Sequence, residues 1–151
     1  MKINNILYKD SIKMGEDLLF NLEYANYASN YEYITQPLYK YNVETVGSAL
    51  KLTRLSYIHD YTQIYNYLLT YYSEKKFEKY KDVVYFMNGM FMNLAGADYD
   101  LKHPFIEEFE KSQLYTDISK ESLTSKKLKL KQWFIVKHIY RNRFMKEFVK
   151  I

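Results

Sequence analysis

The chain has 151 residues, a formal net charge of +4, 48% hydrophobic residues and 19% aromatic ones, enough for one domain with a sizeable core. It has no cysteine, which excludes a disulfide framework, a thiolate metal site and a cysteine nucleophile and fits a reducing cytoplasm. No apolar run approaches the ~20 residues that span a bilayer, and the opening Met1-Lys2-Ile3-Asn4-Asn5 lacks the apolar stretch of a signal peptide.

In chain order, the first predicted element is a helix from Glu16 to about Ser29. Leu18, Leu19, Leu22, Ala25 and Tyr27 give it an apolar face. Tyr31 to Thr35 alternates as a short strand, Gln36-Pro37 breaks it, and Leu38 to Val43 reads as a second strand. Glu44 to Ser48 is a loop. A long helix is predicted from Leu50 to Tyr72, with Leu52, Leu55, Ile58, Tyr61, Tyr65, Leu68 and Tyr72 at helical spacing. A charged turn leads to a second long helix, Phe77 to Leu94, and the two should pack antiparallel. Pro104 suits the first position of a further helix with Phe105, Ile106 and Phe109 turned inward. Residues 113–125 are polar and read as irregular. A last helix is predicted from Ser125 to Val149. The expected fold is mainly α with a small two-stranded β element.

Charge is unevenly distributed. From Lys126 to Ile151 there are nine Lys/Arg and one acid, Glu147, while the preceding residues hold thirteen Lys/Arg and seventeen acids. A mildly acidic body thus carries a strongly basic tail. In the tail, Lys126, Lys127, Lys129, Lys131 and Lys137 interleave with Leu128, Leu130, Trp133, Phe134 and Ile135. That pattern suits a helix on an anionic membrane surface, rings in the interface and ammonium groups toward the headgroups. It equally suits a final helix packed on the domain with a solvated basic face. Nucleic acid could use the same charge, but the aromatic and aliphatic cluster exceeds what phosphate contact requires, so nucleic acid is not the expected partner.

The segment with the most chemistry is Met14-Gly15-Glu16-Asp17-Leu18-Leu19-Phe20-Asn21. Glu16 and Asp17 fall in a first helical turn, where free N–H groups and the helix dipole favour negative charge. A carboxylate kept ionised at a helix start can serve as a general base; acidic residues also occupy first turns for stability alone. His59, His103 and His138 are too far apart in sequence, and lack i, i+4 partners, to suggest a metal site. His59-Asp60 reads as a helix-face pair.

Residues 6–50 resemble family 2 glycosyltransferases, which have the GT-A fold. Many bacterial members read like Phe-Asp-Glu-Ser, a short spacer, Gly-Glu-Asp and then Leu-Leu-Phe-Asn. Tyr33-Ile34-Thr35-Gln36-Pro37-Leu38-Tyr39-Lys40-Tyr41 looks like the family's strand, Pro-Leu-Tyr turn and following strand, and Ser48 fits the serine that usually follows. The resemblance implies inverting transfer of a sugar from a nucleotide sugar to an acceptor hydroxyl, in synthesis of a cell-surface polysaccharide or glycolipid. It implies Asp17 as the base, Glu16 as its supporting neighbour, and Gly15, Tyr39, Tyr41, Asn42 and Ser48 near substrate. Many relatives carry arginine or histidine at the position of Asn42; asparagine can hydrogen-bond a hydroxyl but cannot neutralise a phosphate.

In the family the nucleotide-sugar half comes first and carries an Asp-x-Asp metal motif. The one such string here, Asp98-Tyr99-Asp100, lies downstream of the acidic motif and reads as loop or cap residues. The chain therefore looks like the C-terminal, acceptor-side part of a GT-A (α/β) enzyme, a helical hairpin followed by a basic C-terminal helix. The expected divisions are the end of the catalytic domain at 1–50, a helical subdomain at 51–125 and the basic helix at 126–151. The chain alone should transfer no sugar and hold no cofactor; a nucleotide sugar and a divalent metal (Mg or Mn) are expected for the intact enzyme. Expected partners are an N-terminal donor-binding domain, a sugar or lipid-linked acceptor and an anionic membrane surface. The expected location is cytoplasmic and peripheral at the inner membrane face. The alternative is a non-catalytic helical module that binds protein or a membrane surface.

Overall fold

A computed structural model of the chain describes residues 6–25, 27–38, 53–71, 79–96 and 103–141. These contain six α-helices and a final 3-10 turn: α1 (Glu16–Ala25), α2 (Arg54–Tyr71), α3 (Lys79–Gly96), α4 (Pro104–Glu110), α5 (Gln113–Lys120), α6 (Lys126–Val136) and the turn Ile139–Arg141. The protein is mainly helical, and the described residues include no strand. The chain divides into two compact units, residues 1–52 and 53–151.

In the first unit, Ile6, Ile12 and Leu19 are buried. A turn closed by the Ile12 N–H on the Lys9 carbonyl at 3.0 Å folds the leading segment back. Tyr8 then stacks on Phe20, ring centroids 4.5 Å apart, and Lys9 pairs with Glu23 at 3.3 Å. The helix ends at Ala25, four residues before the expected boundary, where the Tyr31 hydroxyl donates to the free Ala25 carbonyl at 2.9 Å. This satisfies one of the acceptors that every helix C-terminus leaves over. Residues 31–38 are all exposed and non-helical, and Tyr31 to Thr35 forms no strand. Alternating residues become a strand only when a partner pairs with them. The second expected strand lies, apart from Leu38, outside the described residues.

The second unit is built on α2 and α3. Thr53 starts α2, its Oγ1 accepting the Ser56 N–H at 3.3 Å. Arg54, the first residue of α2, donates from Nη1 to the Met92 carbonyl near the end of α3 at 2.9 Å, so the two helices run antiparallel. The guanidinium supplies a cation and a donor where the α3 dipole is negative. Midway along the pair, Gly89 admits the Tyr61 ring: a Cβ on Gly89 would lie 2.8 Å from Tyr61 Cζ. Tyr61 and Tyr65 both meet Phe86 edge to face, at 5.8 and 5.2 Å. Val83, Phe86, Met87, Met90, Leu94 and Ala95 form the buried side of α3.

Helix α4 opens as the sequence suggests. His103 Nδ1 accepts the Phe105 N–H at 3.3 Å, Pro104 takes the first turn, and Ile106 and Phe109 are buried. Residues 113–120 were expected to be irregular and instead form α5, capped by Ser112 Oγ on the Tyr115 N–H at 3.2 Å. Leu114 and Ile118, four residues apart, bury completely, and this packing outweighs the weak helix propensity of the intervening polar residues. Helix α6 packs on α3 and α5, with Phe134 against Phe91 at 4.9 Å and Ile135 fully buried. The Gln132 amide donates to the carbonyls of Ile118 and Glu121 at 2.7 and 2.9 Å, closing the C-terminal end of α5.

The last helix is shorter than the expected 125–149. It stops at Val136, and His138 takes φ 51°, a left-handed conformation that ends helices. Residues beyond 141 lie outside the described residues.

Candidate functional site

Gly15 adopts φ 89°, a left-handed conformation open to glycine at little cost. The turn it makes leads directly into α1, whose first turn carries Glu16 and Asp17. The Gly15 carbonyl accepts the Leu19 N–H at 3.3 Å, the first bond of the helix. Asp17 is exposed, and its Oδ1 accepts the Leu18 N–H at 2.8 Å. Its second oxygen has no hydrogen-bond partner among the described residues. Asp17 thus turns a carboxyl oxygen toward solvent at the start of α1. Glu16 is half-buried beside it. Tyr39, Tyr41, Asn42 and Ser48 lie outside the described residues, as do Asp98 and Asp100. Glu16, Asp17 and Gly15 are adjacent in this turn.

In the second unit three carboxylates are engaged by the fold. Asp117 is buried, accepting the Tyr65 hydroxyl at 2.8 Å, Lys79 Nζ at 2.8 Å and Gln113 Nε2 at 3.0 Å. Burial alone would raise its pKa; the hydrogen bonds from Lys79, Tyr65 and Gln113 outweigh that and hold it below the ordinary carboxylate range. Tyr65 is pushed the other way, by burial first and then by its bond to Asp117. Glu110 accepts the Tyr140 hydroxyl and the Arg141 guanidinium and lies 3.0 Å from His138 Nδ1. Burial opposes its ionisation, but the bonds from Tyr140 and Arg141 and the charges of Arg141 and His138 bring its pKa below the usual value. Glu108 joins α4 to α2, 2.8 Å from His59 Nδ1 and bonded to Gln63 Nε2.

His59 is therefore not paired with its neighbour Asp60: it stacks on Phe105 and bonds Glu108, while Asp60 is buried. These carboxylates hold helices together, and their oxygens are occupied by protein donors. Among the described residues no group of three His, Asp or Glu side chains could hold a metal ion.

The basic helix has two sides. Phe134 and Ile135 face the core. Lys131 also turns inward, bonded to Asn88 Oδ1 and 5.4 Å from the centre of the Phe91 ring; burial and the nearby charge of Lys127 lower its pKa. The outward side carries Leu130, 62% exposed, and Trp133, 51% exposed, with Lys126, Lys129 and Lys137 at neighbouring helical positions. A cleft of about 210 Å³ beside Trp133 is lined also by Ser119, Lys129, Gln132, Val136 and Lys137. The sequence reading missed Ser119 because it took this segment as irregular; the available signal was Leu114 and Ile118 at i, i+4 behind Ser112. No helix among the described residues is long and apolar enough to cross a membrane.

The chain matches no protein-family model, no curated protein and no solved structure.

Proposed function

We propose that the chain is the acceptor-side part of a family 2, GT-A-type glycosyltransferase. The whole enzyme would invert the anomeric centre as it moves a sugar from a nucleotide sugar to an acceptor hydroxyl, building a cell-surface polysaccharide or glycolipid. One observation carries this reading: the left-handed turn at Gly15 opens directly onto a helix start whose Asp17 is exposed, with one oxygen that has no hydrogen-bond partner among the described residues. It supports the role that the resemblance over residues 6–50 implies for Gly-Glu-Asp.

In this reading Asp17 takes the proton of the acceptor hydroxyl as that oxygen attacks the anomeric carbon, and Glu16 holds the turn in place. Gly15, lacking a side chain, lets the sugar approach the backbone. The resemblance implies that the divalent metal and the nucleotide sugar belong to a donor-binding domain, and no step here runs through them. The chain alone is expected to turn over no nucleotide sugar.

The test is sugar transfer by the intact gene product with Asp17→Asn and Glu16→Gln. Asparagine still accepts the Leu18 N–H, so stability should change by less than ~1 kcal/mol, while loss of the base should slow transfer by about 10²–10⁴-fold. Glu16→Gln should cost less. Near-normal turnover by Asp17→Asn, or loss of activity through unfolding alone, would overturn the assignment.

A further inference from the structure

We propose that the outward face of α6 is a docking surface for an anionic lipid bilayer, with Trp133 and Leu130 entering the interface and Lys126, Lys129 and Lys137 meeting the headgroups. The proposal is independent of the glycosyltransferase reading and rests on the second unit alone. The fold has already sorted the apolar residues of this segment. Phe134, Ile135 and Tyr140 are spent on the core, so the long amphipathic helix suggested by the sequence is not the membrane element. What remains outside is a compact patch of one indole and one leucine, both more than half exposed.

Helical spacing puts Lys126, Leu130, Trp133 and Lys137 on one stripe, with Lys129 beside it. None of these three lysines has a carboxylate at ion-pair distance among the described residues. From Ser122 to Arg141 the chain holds six Lys/Arg and no acid, so helix α6 carries no counter-charge of its own. Lys131, which does not belong to the face, is the one lysine of the helix drawn inward. An indole whose apolar body and N–H suit the headgroup boundary, a leucine beside it and a ring of lysines match the chemistry of an anionic bilayer surface. The cleft beside Trp133, with Lys129 and Lys137 in its lining, offers two ammonium groups to a headgroup phosphate; the Ser119 hydroxyl in the same lining donates to the Tyr115 carbonyl at 2.7 Å. A nucleic acid could use the lysines, but phosphate contact does not call for an exposed leucine at their centre.

Trp133 is the chain's one tryptophan, so its fluorescence reports this face directly. The experiment titrates the full chain with phosphatidylglycerol-containing vesicles, with pure phosphatidylcholine vesicles and with duplex DNA, following tryptophan emission and co-sedimentation. Emission should shift to the blue with the anionic vesicles alone, and the shift should weaken as salt rises. The variant Lys126→Gln/Lys129→Gln/Lys137→Gln should lose on the order of 100-fold in partitioning, about fivefold per lysine. Leu130→Ser should also weaken binding. All four positions are exposed, and far-UV circular dichroism should show the fold intact. No blue shift with anionic vesicles, an equal shift with phosphatidylcholine, or a shift with DNA in place of vesicles would each overturn the proposal. So would co-sedimentation without a shift, since binding would then lie elsewhere in the chain.

Discussion

Asp117→Asn tests whether the polar centre of the second unit holds its helices together. The Asp117 carboxylate joins α5 to α2 through Tyr65 and to the start of α3 through Lys79. Asparagine keeps the shape but removes the charge and one acceptor: its NH2 either faces Lys79 and Gln113 or, turned the other way, donates to the Tyr65 oxygen and takes this acceptor from the phenol proton. The Lys79 side chain is 54% exposed but that of Asp117 only 4%, so water screens the lysine end alone and loss of this pair should cost about 1–2 kcal/mol. The buried end is different. Losing the charge-assisted bond, and with it the acceptor for either the Tyr65 proton or the Gln113 amide, should cost about 2–4 kcal/mol.

For a unit of this size that corresponds to a fall in melting temperature of about 8–16 °C. The pH dependence has a fixed sign. Because the folded pKa of Asp117 lies below its ordinary 3.8, its contribution is present above that value and is lost as pH falls through the folded one. Urea unfolding followed by far-UV circular dichroism should show a constant gap between wild type and variant from neutral pH down to about pH 5. The gap should then close in more acid solution. Lys79→Met should cost less than Asp117→Asn, because its ammonium end is open to solvent. A gap at neutral pH below about 0.5 kcal/mol, the size of an ordinary surface change, or one that persists in acid, would refute the reasoning.

Gly15→Ala should destabilise the start of α1 by about 1–2 kcal/mol, because alanine at φ 89° is strained, and Gly15→Asn should cost less; hydrogen exchange of the α1 amides measures both. Gly89→Val should lower thermal stability by about 1–3 kcal/mol by driving α2 from α3 at Tyr61, although valine is the better helix former, and Tyr61→Leu should restore part of the loss. His138→Ala and His138→Gly both lose the contacts with Glu110 and Tyr115, but glycine relieves the left-handed backbone, so it should be the more stable of the two by about 1 kcal/mol in urea unfolding. Equal stability would assign the turn at 138 to its side-chain contacts alone.

The long helices were legible because their apolar residues repeat every three or four positions over many turns. Pro104 and the acidic first turn of α1 were legible as end signals with a direct physical cause. Helix α5 was hidden: its buried set is short, and Asp117, a charge, is part of its core. The end of α6 was hidden because a histidine, with no glycine or proline nearby, makes the left-handed turn. Its polar partners come from Glu110 and Tyr115, which local sequence cannot reveal. The basic character of α6 was plain, but its sidedness was not. Trp133 and Phe134 are adjacent and chemically alike, and only the packing of α3 and α5 sends one outward and the other inward. At the Gly-Glu-Asp turn the residue types already implied a helix start, and the structure adds the positive φ of Gly15 and the exposure of Asp17.

Several polar ties of the second unit join residues distant in the chain. Tyr65 reaches Asp117, His59 reaches Glu108, Asn88 receives Lys131, and Glu110 receives Tyr140 and Arg141. Helices are local objects and form quickly, but these knots cannot close until both partners have been made. During synthesis α2 and α3 emerge as a hairpin whose buried polar groups still await partners from α5 and α6. The unit is therefore expected to mature late on the ribosome and in one step. Its final turn, from Ile139 to Arg141, works as a latch on Glu110, and a nascent chain stalled before that turn would expose its unsatisfied interior to chaperones and proteases.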